Sequence, residues 1–340
     1  MNAPRSALYA YAFCAVVLVM AGLTSCKGHR RPQVVLYCSV DQDIAEPIIA
    51  QFEKDTGIQV LARFDTEASK TAGLVQRLRA EKARPAADVF WSGEVFYTAR
   101  LASEGVFVQY RSARTADWPR AYADPNGRWY GFGLRARALV YNTQRVRPDQ
   151  SPRSLEDVLD PRWRGRLVMA RPQFGTTGGD IASWLAHYGR DRTLGILRGL
   201  RGNQVRLVAG NSNVVRVVAQ GQADVGLTDT DDVYAGQRNG WPVARNLLDQ
   251  AGEGALAIPN TVAMIQAGPH PSQARVLMEF LLHEQVERLL AASDSHNCPV
   301  RPQVAEAFKE YAIERSLNIP YDRIAACVPE ALHMAEEILD

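Results

Sequence analysis

The sequence predicts an α/β fold built on a mixed, mostly parallel sheet. Short apolar runs of strand length alternate with longer amphipathic runs of helix length along most of the 340 residues. Capping residues and glycines separate the runs, such as Asp43 before the first predicted helix and Gly57 after it. Strands that alternate with helices favour a parallel sheet, because each helix returns the chain to the edge where the next strand begins. The length is enough for about two domains.

The first half of the chain contains three predicted strand–helix pairs. The strands are short runs rich in β-branched and aromatic residues, and the helices repeat apolar residues every three or four positions. The strands are predicted at 32–38, 58–64 and 87–91, and the helices at 43–57, 66–82 and 92–105.

A segment rich in proline and glycine, 117–133, precedes a second α/β unit at about 137–261. Beyond that unit we predict one more strand and then helices to the end of the chain. In order, the elements are a strand at 138–143, a helix and a strand within 154–170, a helix at 174–189, a strand at 205–210, a helix from Asn211, a strand at 223–229 with a helix after it, a strand at 261–268, a long helix at 271–293 and helical structure to Asp340.

The N-terminus is typical of a bacterial export signal. Arg5 is the only charged residue before the apolar run Ala10–Leu23, whose 14 residues suit a signal sequence and are too few for a membrane span. The run ends in "LTSC", which resembles the lipoprotein box. We predict that residues 1–25 are a lipoprotein signal peptide and that Cys26 is lipidated. The alternative is a plain signal peptide with a chance cysteine.

Three cysteines remain after that processing. An exported protein lies where disulfides persist, so Cys298 and Cys327 are candidates for a bridge. The bridge would close a loop of roughly 30 residues, which is worth about 3–4 kcal/mol in the loop-entropy model. Cys38 follows an apolar strand and is predicted to be a buried thiol. With three cysteines the pairing stays open.

The charge balance, and motifs that are incomplete or misplaced, argue against several classes of function. With 39 basic and 37 acidic residues, and no basic run with interleaved aromatics, the chain does not resemble a nucleic-acid or membrane-surface protein. "GFGLRA" fits a dinucleotide-binding pattern but precedes a strand instead of following one. "HEQVE" lacks the second histidine of a zinc helix, and the nucleophile elbow, the P-loop and C-x-x-C are absent. We therefore expect no enzyme.

Acidic residues follow three of the predicted strands. In open α/β sheets, ligands bind beyond the carboxyl ends of strands, so these side chains are candidates for one cation site. Carboxylates favour a hard metal ion or an organic cation, whereas the plain alternative is that each one caps a helix. The residues are Asp41 and Asp43 after the first strand, Glu94 after the third, and Asp229, Asp231 and Asp232 after the strand at 223–229.

Neutral hydrogen-bond donors follow two further strands. Thr176 and Thr177 lie between glycines at a predicted helix start, and Asn211 opens another helix. Exposed N–H groups and hydroxyls at helix N-termini bind anions, although ordinary helix caps look the same in a sequence. An anion site beside the cation site would be chemically coherent.

Five stretches occur in the order and spacing of a known family: "VVLYCSVDQDIAEPIIAQFEKDTGIQV", "ADVFWSGEVFYTARLASEGVF", "GFGLRARALVYNT", "FGTTGG" and "VGLTDTDD". On these stretches the chain resembles the periplasmic solute-binding proteins of ABC importers, specifically the ferric-iron-binding and thiamine-like class. The resemblance covers about residues 34–293. It implies a two-lobed clamshell of type II, in which each lobe is a mixed, mostly parallel sheet flanked by helices. Lobe I would comprise 33–136 plus 262–312, and lobe II 137–261 plus 313–340.

The resemblance also implies where a metal would be held. The family's iron ligands are a histidine after the first strand, a glutamate after "DVF-aromatic-S" and two adjacent tyrosines after the strand of the second lobe. This chain has Asp41 at the histidine place, Gly93 at the glutamate place with Glu94 one residue on, and Asp231 and Asp232 at the tyrosine pair. None of the four is identical. We predict that Asp41, Glu94, Asp231 and Asp232 hold the metal, and that Asp229 caps its helix.

Six further residues are predicted to contact the ligand or its anion. Thr176 and Thr177 fall where the family holds an anion that binds together with the metal, with Asn211 nearby, and Arg137 matches a family arginine in the cleft. The full set is Ser39, Ser92, Arg137, Thr176, Thr177 and Asn211.

The resemblance implies a substrate-binding lipoprotein of an ABC importer, with a permease and an ATPase as partners. Its cargo would be iron(III) or another hard cation, together with phosphate or carbonate. The protein would be a monomer in the periplasm or at the cell surface, attached to the membrane only by its lipid.

Three alternatives remain open. One is an organic cation of the thiamine or polyamine kind, with a cation–π wall of Tyr37, Trp91, Trp129 and Tyr130. The second is another small polar or phosphorylated solute. The third is a sensor lipoprotein that transports nothing.

Overall fold

Nine strands form the sheet in the part of the chain that the computed structural model describes, which is residues 31–65, 71–173 and 175–339. The strands are β1 Gln33–Cys38, β2 Gln59–Phe64, β3 Val89–Ser92, β4 Tyr130–Asn142, β5 Leu167–Ala170, β6 Arg206–Val208, β7 Val225–Asp229, β8 Val243–Asn246 and β9 Ala257–Met264. Their order is β2-β1-β3-β9-β4-β7-β5-β6, with β8 paired to β4. The predicted signal peptide and Cys26 lie outside the described residues.

Helices connect most of the strands. They are α1 Gln42–Thr56, α2 Ala72–Ala80, α3 Phe96–Ser103, α4 Leu155–Val158, α5 Thr177–Tyr188, α6 Arg190–Gly202, α7 Asn211–Ala219, α8 Thr230–Arg238, α9 Pro271–Leu281, α10 Glu284–Ala292, α11 Pro302–Ala305 and α12 Tyr321–Leu339. Short 3-10 helices lie at Ala113–Thr115, Arg120–Tyr122, Pro161–Trp163 and Glu306–Tyr311. None of these helices has the length and apolarity that a bilayer crossing requires.

The long strand β4 connects the two groups of parallel strands. Residues 130–136 pair antiparallel with β9, and residues 137–142 pair antiparallel with β7 and β8. The ladder with β9 is irregular at Gly133, whose φ of 62° suits glycine. Among the described strands, the parallel pairings form two groups. In one group β1 pairs with β2 and β3, and in the other β5 pairs with β6 and β7. The mixed α/β sheet agrees with the predicted fold class, but four of the eight strand pairings in the described residues are antiparallel, so the sheet is not mostly parallel as predicted. The lobe boundaries stay a prediction.

The C-terminal helix α12 closes one face of the sheet. It packs against α5, α6 and α3, and it buries the apolar residues that recur on one side of it. One apolar cluster extends from Tyr37 on β1 through Leu139 on β4 to Ala335 on α12. This core keeps the strand ends of both groups in fixed positions.

Most predicted elements are confirmed, and three predictions are wrong. The helix predicted at 271–293 is two helices, because His283 ends the first and its Nδ1 accepts the Gln285 N–H at 3.1 Å as the cap of the second. The stretch predicted to be helical from residue 294 to α12 is helical only at Pro302–Ala305 and Glu306–Tyr311, and irregular elsewhere. The strand predicted at 138–143 is only the second half of β4, because "GFGLRA" lies inside the strand. The short β8 was not predicted.

The cysteines do not form the candidate bridge. Cys298 and Cys327 are free thiols, so the possible disulfide is absent. Cys38 is fully buried at the end of β1, as predicted, and burial raises the pKa of its thiol.

Candidate functional site

The carboxyl ends of the parallel strands meet around two adjoining cavities. The first cavity is about 50 Å³ and the second about 60 Å³. Asp41, Arg135, Gly175 and Asp231 line both, so the cavities share one wall. The first is also lined by Ser39, Val40, Ile44, Thr71, Gly93, Glu94, Asn260, Ser295 and Asn297, and the second by Thr176, Ala209, Gly210, Asn211, Ser212, Asp229 and Asp232.

The structure brings seven of the ten predicted site residues to these cavities. They are Ser39, Asp41, Glu94, Thr176, Asn211, Asp231 and Asp232. Ser92, Arg137 and Thr177 lie behind the walls and are buried. Residues far apart in the sequence therefore converge, as the strand-end argument predicts.

Three carboxylates form the acidic centre of the second cavity. One oxygen each from Asp229, Asp231 and Asp232 lies within 4.8 Å of the others. The first residue ends β7, and the other two occupy the first turn of α8. Asp231 and Asp232 are partly exposed, whereas Asp229 is buried. This spacing suits oxygen ligands around one hard cation.

Asp229 occupies the N-cap position of α8, as predicted, but its side chain makes no capping hydrogen bond. Instead Oδ1 accepts from Arg137 Nη1 at 2.7 Å, and Oδ2 accepts from Thr176 Oγ1 at 2.6 Å and Asn211 Nδ2 at 3.0 Å. Arg135 Nε lies 3.2 Å from the same Oδ2. Burial alone would raise the pKa of Asp229, but the two guanidinium groups outweigh it and lower the pKa.

Arg135 is the residue that the sequence analysis missed. Its Nε lies 3.7 Å from Asp231, and its Nη1 donates to the carbonyl oxygen of Gly93. The guanidinium therefore connects the β3 end to the acidic centre. Burial would lower the pKa of Arg135, but Asp231 and Asp229 more than compensate and raise it. The acidic centre is thus already paired with two cations of the protein itself, Arg135 and Arg137.

A signal for Arg135 exists in the sequence. Side chains alternate along a strand, so Arg135 and Arg137 on β4 point to the same face. In the ladder with β7, Arg137 lies directly opposite Asp229. Reading "RAR" as a strand segment would have placed both arginines beside the "TDTDD" carboxylates.

Glu94 combines a place in the cavity wall with a helix-capping role. Its Oε2 accepts the Phe96 N–H at 2.7 Å and the Tyr97 N–H at 3.2 Å at the start of α3. The side chain is almost fully buried, and this burial raises the pKa of Glu94 to about 7 although the backbone donors oppose the shift. The capping alternative is therefore realised for this residue.

The predicted serines hold the strand ends together. Ser39 Oγ accepts the Gly93 N–H at 3.0 Å and lies 3.3 Å from Ser92 Oγ. Thr71 donates to the same Ser39 oxygen at 3.3 Å. These hydroxyls fix the wall of the first cavity.

The predicted anion-binding side chains surround Asp229. Thr176 Oγ1 donates to Asp229, and it accepts from Asn211 Nδ2 at 2.9 Å and from Arg137 Nη1 at 3.2 Å. Thr177 donates to Asn211 Oδ1 at 3.4 Å. Within the described residues, the hydroxyl and amide groups therefore bond one another around the buried carboxylate, whereas Arg137 Nη2 has no hydrogen-bond partner.

The four aromatic residues proposed as a cation–π wall belong to the core. Tyr37, Trp91, Trp129 and Tyr130 are all buried, and none of them lines either cavity. Trp91, for example, packs against Phe132 with ring centroids 5.9 Å apart. The aromatic wall of the organic-cation alternative is therefore wrong.

Comparison with known proteins gives one family match and a consistent set of relatives. A family model described as bacterial extracellular solute-binding protein matches residues 34–293. The chain is 26% identical over 274 residues to iron uptake protein A1 of a Synechocystis species, covering 77% of this chain and 74% of that protein. It is 25% identical over 267 residues to the Fe(3+)-binding periplasmic protein of Serratia marcescens, covering 77% of each.

The same likeness extends to a solved structure. The crystal structure of iron-bound HitA from Pseudomonas aeruginosa superposes with a TM-score of 0.78 at 24% identity, covering 90% of this chain and 99% of that chain. At this identity the likeness shows the fold, which is that of the type II periplasmic binding proteins.

Proposed function

Because this chain belongs to the family of bacterial extracellular solute-binding proteins, we propose that it captures ferric iron for an ABC importer. The observation that carries the proposal is the acidic centre. Asp229, Asp231 and Asp232 bring three carboxylate oxygens within 4.8 Å of one another beside two cavities. Relatives named for iron uptake and for Fe(3+) binding share about a quarter of the aligned residues.

The charge around the cavities favours a cation of high charge. Five carboxyl groups line them, against the single guanidinium of Arg135 among the described lining residues. Carboxylates are hard oxygen ligands, so they suit Fe(III) without help from softer groups. We propose that Asp41, Asp231 and Asp232 bind the ion directly. Glu94 lies in the wall of the first cavity, where its carboxyl group caps α3.

A small anion would complete the coordination. The second cavity includes Gly210, Asn211 and Ser212 at the amino end of α7, where backbone N–H groups and the helix dipole favour negative charge. Phosphate or carbonate fits this position beside the metal. Thr176 and Thr177 support it indirectly, because their hydroxyls hold Asn211 and Asp229 in place.

The biological setting follows from the N-terminal signal. Lipidated Cys26 would keep the protein at the outer face of a membrane, in the periplasm or at the cell surface. There a monomer would deliver iron to a permease driven by an ATPase. A binding role of this kind needs no catalytic residue.

A small phosphorylated solute is the second candidate. The observation that favours it is Arg135, since a guanidinium in the wall of both cavities attracts an anionic group. A solute with an amine and a phosphate would satisfy both the carboxylates and Arg135.

Thermal unfolding with a ligand panel tests the function. The chain from residue 27 onward is heated alone and with ferric citrate with or without phosphate or carbonate, divalent metals, thiamine, polyamines or aminoalkyl phosphates. A ligand at 100 times its Kd stabilises the folded state by about 2.7 kcal/mol. We expect Fe(III) to stabilise and the anion to increase its effect. Stabilisation only by a phosphorylated or organic solute would overturn the iron assignment.

Removal of the acidic centre is the matching test. Asp231→Asn together with Asp232→Asn should abolish the Fe(III)-induced shift, because two ligands lose their charge while their size is kept. The ligand-free melting temperature should change little, since both residues are partly exposed. Asp149→Asn, on an exposed turn beside Arg147, is the control that should bind as the wild type does.

A further inference from the structure

Helix α8 presents one face both to the cavity and to a turn of distant sequence. Asp231, Tyr234 and Arg238 are spaced three and four positions apart, so they lie along one side of the helix. The turn at 293–298 runs beside this side. Ser295 and Asn297 line the first cavity together with Asp231. The helix that carries two predicted iron ligands is therefore in contact with a segment about 60 residues further along.

Three aromatic rings form the centre of this contact. The Tyr234 ring meets the His296 ring edge to face, with centroids 5.3 Å apart and planes at 90°. It meets the Tyr311 ring at 5.4 Å and 74°, while His296 and Tyr311 stack at 4.4 Å and 16°. Edge-to-face and offset-stacked arrangements are the favourable geometries for such rings. We call Tyr234, His296 and Tyr311 the ring cluster.

An ion pair flanks the ring cluster. Arg238 Nη1 lies 2.6 Å from Asp294 Oδ1, one turn of α8 beyond Tyr234. The two side chains are 42% and 59% exposed, so solvent and salt weaken this pair. Arg245, on β8, donates to the Tyr234 hydroxyl at 2.7 Å, and its guanidinium lies over the Tyr234 ring, 5.2 Å from the centroid. The rings therefore carry more of the contact than the charges do.

The turn itself is anchored to the long strands. His296 has a φ of 45°, which a residue with a side chain adopts only when its surroundings impose it. The surroundings are evident: Asn260 on β9 donates to Asn297 Oδ1 at 2.7 Å, and Cys298 exchanges backbone hydrogen bonds with Leu134 on β4. The turn is thus a fixed support against which α8 rests.

We propose that Tyr234 is a positioning residue for the ligand site. By packing on His296 and Tyr311 it holds α8 against the 293–298 turn, and so keeps Asp231 at the shared wall of the two cavities. Departure of the ligand requires α8 and the turn to separate, so the ring cluster slows release. The inference rests on the proposed function only in taking the cavities as the ligand site.

Release kinetics provide the test. Fe(III) is loaded as ferric citrate, and its release to excess EDTA is followed for the wild type, Tyr234→Phe and Tyr234→Ala. Losing two ring contacts should speed release about tenfold in Tyr234→Ala, with little change in the association rate. Tyr234→Phe keeps the ring and should release as the wild type does. Tyr188→Ala, whose ring meets only His187 among the described ring pairs, is the control for loss of an aromatic side chain.

A double-mutant cycle assigns the effect to the contact. Tyr234→Ala and His296→Ala should each increase the rate of Fe(III) release. The fold-increase in the double variant should be smaller than the product of the two single fold-increases. Independent, multiplicative effects or an unchanged release rate in Tyr234→Ala would overturn the proposal. Circular dichroism of each variant shows whether it has folded before release is measured.

A readout without ligand separates this inference from the iron proposal. Hydrogen exchange of the α8 amides in the ligand-free protein should be faster in Tyr234→Ala than in the wild type or Tyr234→Phe. If the wild type binds no iron, the proposed function is wrong. The difference in α8 hydrogen exchange between Tyr234→Ala and the wild type still tests whether Tyr234 positions α8. Equal exchange in all three proteins would then refute it.

Discussion

Asp229 is a buried carboxylate between two buried guanidinium groups, so its charge matters for the fold as well as for the site. Removing one partner of a buried ion pair costs about 3–5 kcal/mol, because the remaining charge is left in a poorly solvated place. We expect Asp229→Asn to lower the free energy of unfolding by about 3 kcal/mol in urea titrations.

The control for this substitution is Asp232→Asn, which removes a partly exposed carboxylate of the same cluster. The free energy of unfolding of that variant should fall by less than about 1 kcal/mol, which is what an exposed ion pair contributes. If both variants lost the same free energy of unfolding, Asp229 would not be the carboxylate that compensates the buried charges of Arg135 and Arg137.

Glu94 makes stability depend on pH. Burial raises its pKa from an ordinary 4.5 to about 7, so the folded chain holds this proton more tightly than the unfolded chain. The contribution of Glu94 to the free energy of unfolding is therefore fully present below about pH 4.5 and is lost as the pH rises towards 7. We expect a loss on the order of 3 kcal/mol over this interval for the ligand-free protein.

Urea titrations between pH 4.5 and 8 check this dependence. Glu94→Gln should flatten it, because the amide does not titrate. Glu104→Gln is the contrasting variant. The Arg79 hydrogen bond lowers the pKa of Glu104, so the effect of Glu104 on the free energy of unfolding falls at a lower pH than that of Glu94. Parallel curves for the wild type and Glu94→Gln would contradict the assignment.

At the scale of elements, α5 packs against α3 at a contact that leaves no room for a methyl group. A Cβ on Gly179 would overlap the ring of Phe96, the first residue of α3. We expect Gly179→Ala to destabilise the protein by about 1–3 kcal/mol through overpacking. Differential scanning calorimetry should show a lower melting temperature.

Gly195 on α6 offers the matched comparison. A Cβ there would meet nothing within 4 Å, so only the backbone effect remains. Alanine in place of a helical glycine gains roughly 0.5–1 kcal/mol. Gly195→Ala should therefore raise the melting temperature while Gly179→Ala lowers it, and the same sign in both would refute the packing argument.

The sequence predicted the elements well where a periodic pattern was complete. The helix from Asn211 and the strand that ends at Asp229 are examples, since valines recur along one face of the helix and the strand is a short, fully buried run. It failed for β4, because Gly131 and Gly133 suggest a turn and nothing local reveals that β9 will pair with them. The break at His283 was missed for a similar reason, since the apolar repeat continues through it.

The candidate site shows the same division. The strand-end rule placed Asp41 and Asp231 at one wall, because it depends only on the direction of parallel strands. The charge of that wall was incomplete without Arg135, whose position depends on the register between β4 and β7. Registers between strands about 90 residues apart follow from tertiary packing, which one sequence does not display.

At the scale of the whole molecule, one apolar cluster of the core spans both groups of strands. Tyr37 and Phe90 from one group and Met169 and Leu227 from the other belong to a single apolar cluster, which α12 covers. We therefore expect one cooperative unfolding transition for residues 33–340. Calorimetry should give equal calorimetric and van't Hoff enthalpies. Two resolved transitions would show that the two groups unfold separately.

The pairing of β3 with β9 has a consequence for how the protein is made. Trp91 on β3 lies opposite Val262 on β9, about 170 residues later in the chain. A nascent or translocating chain exposes the unpaired edge of β3 until most of the sequence has emerged, and such edges invite pairing with other chains. Contacts of this separation also slow folding. The chain is therefore most prone to aggregation before its last third has been translocated. A chaperone that binds unfolded chains would increase the yield most during that period.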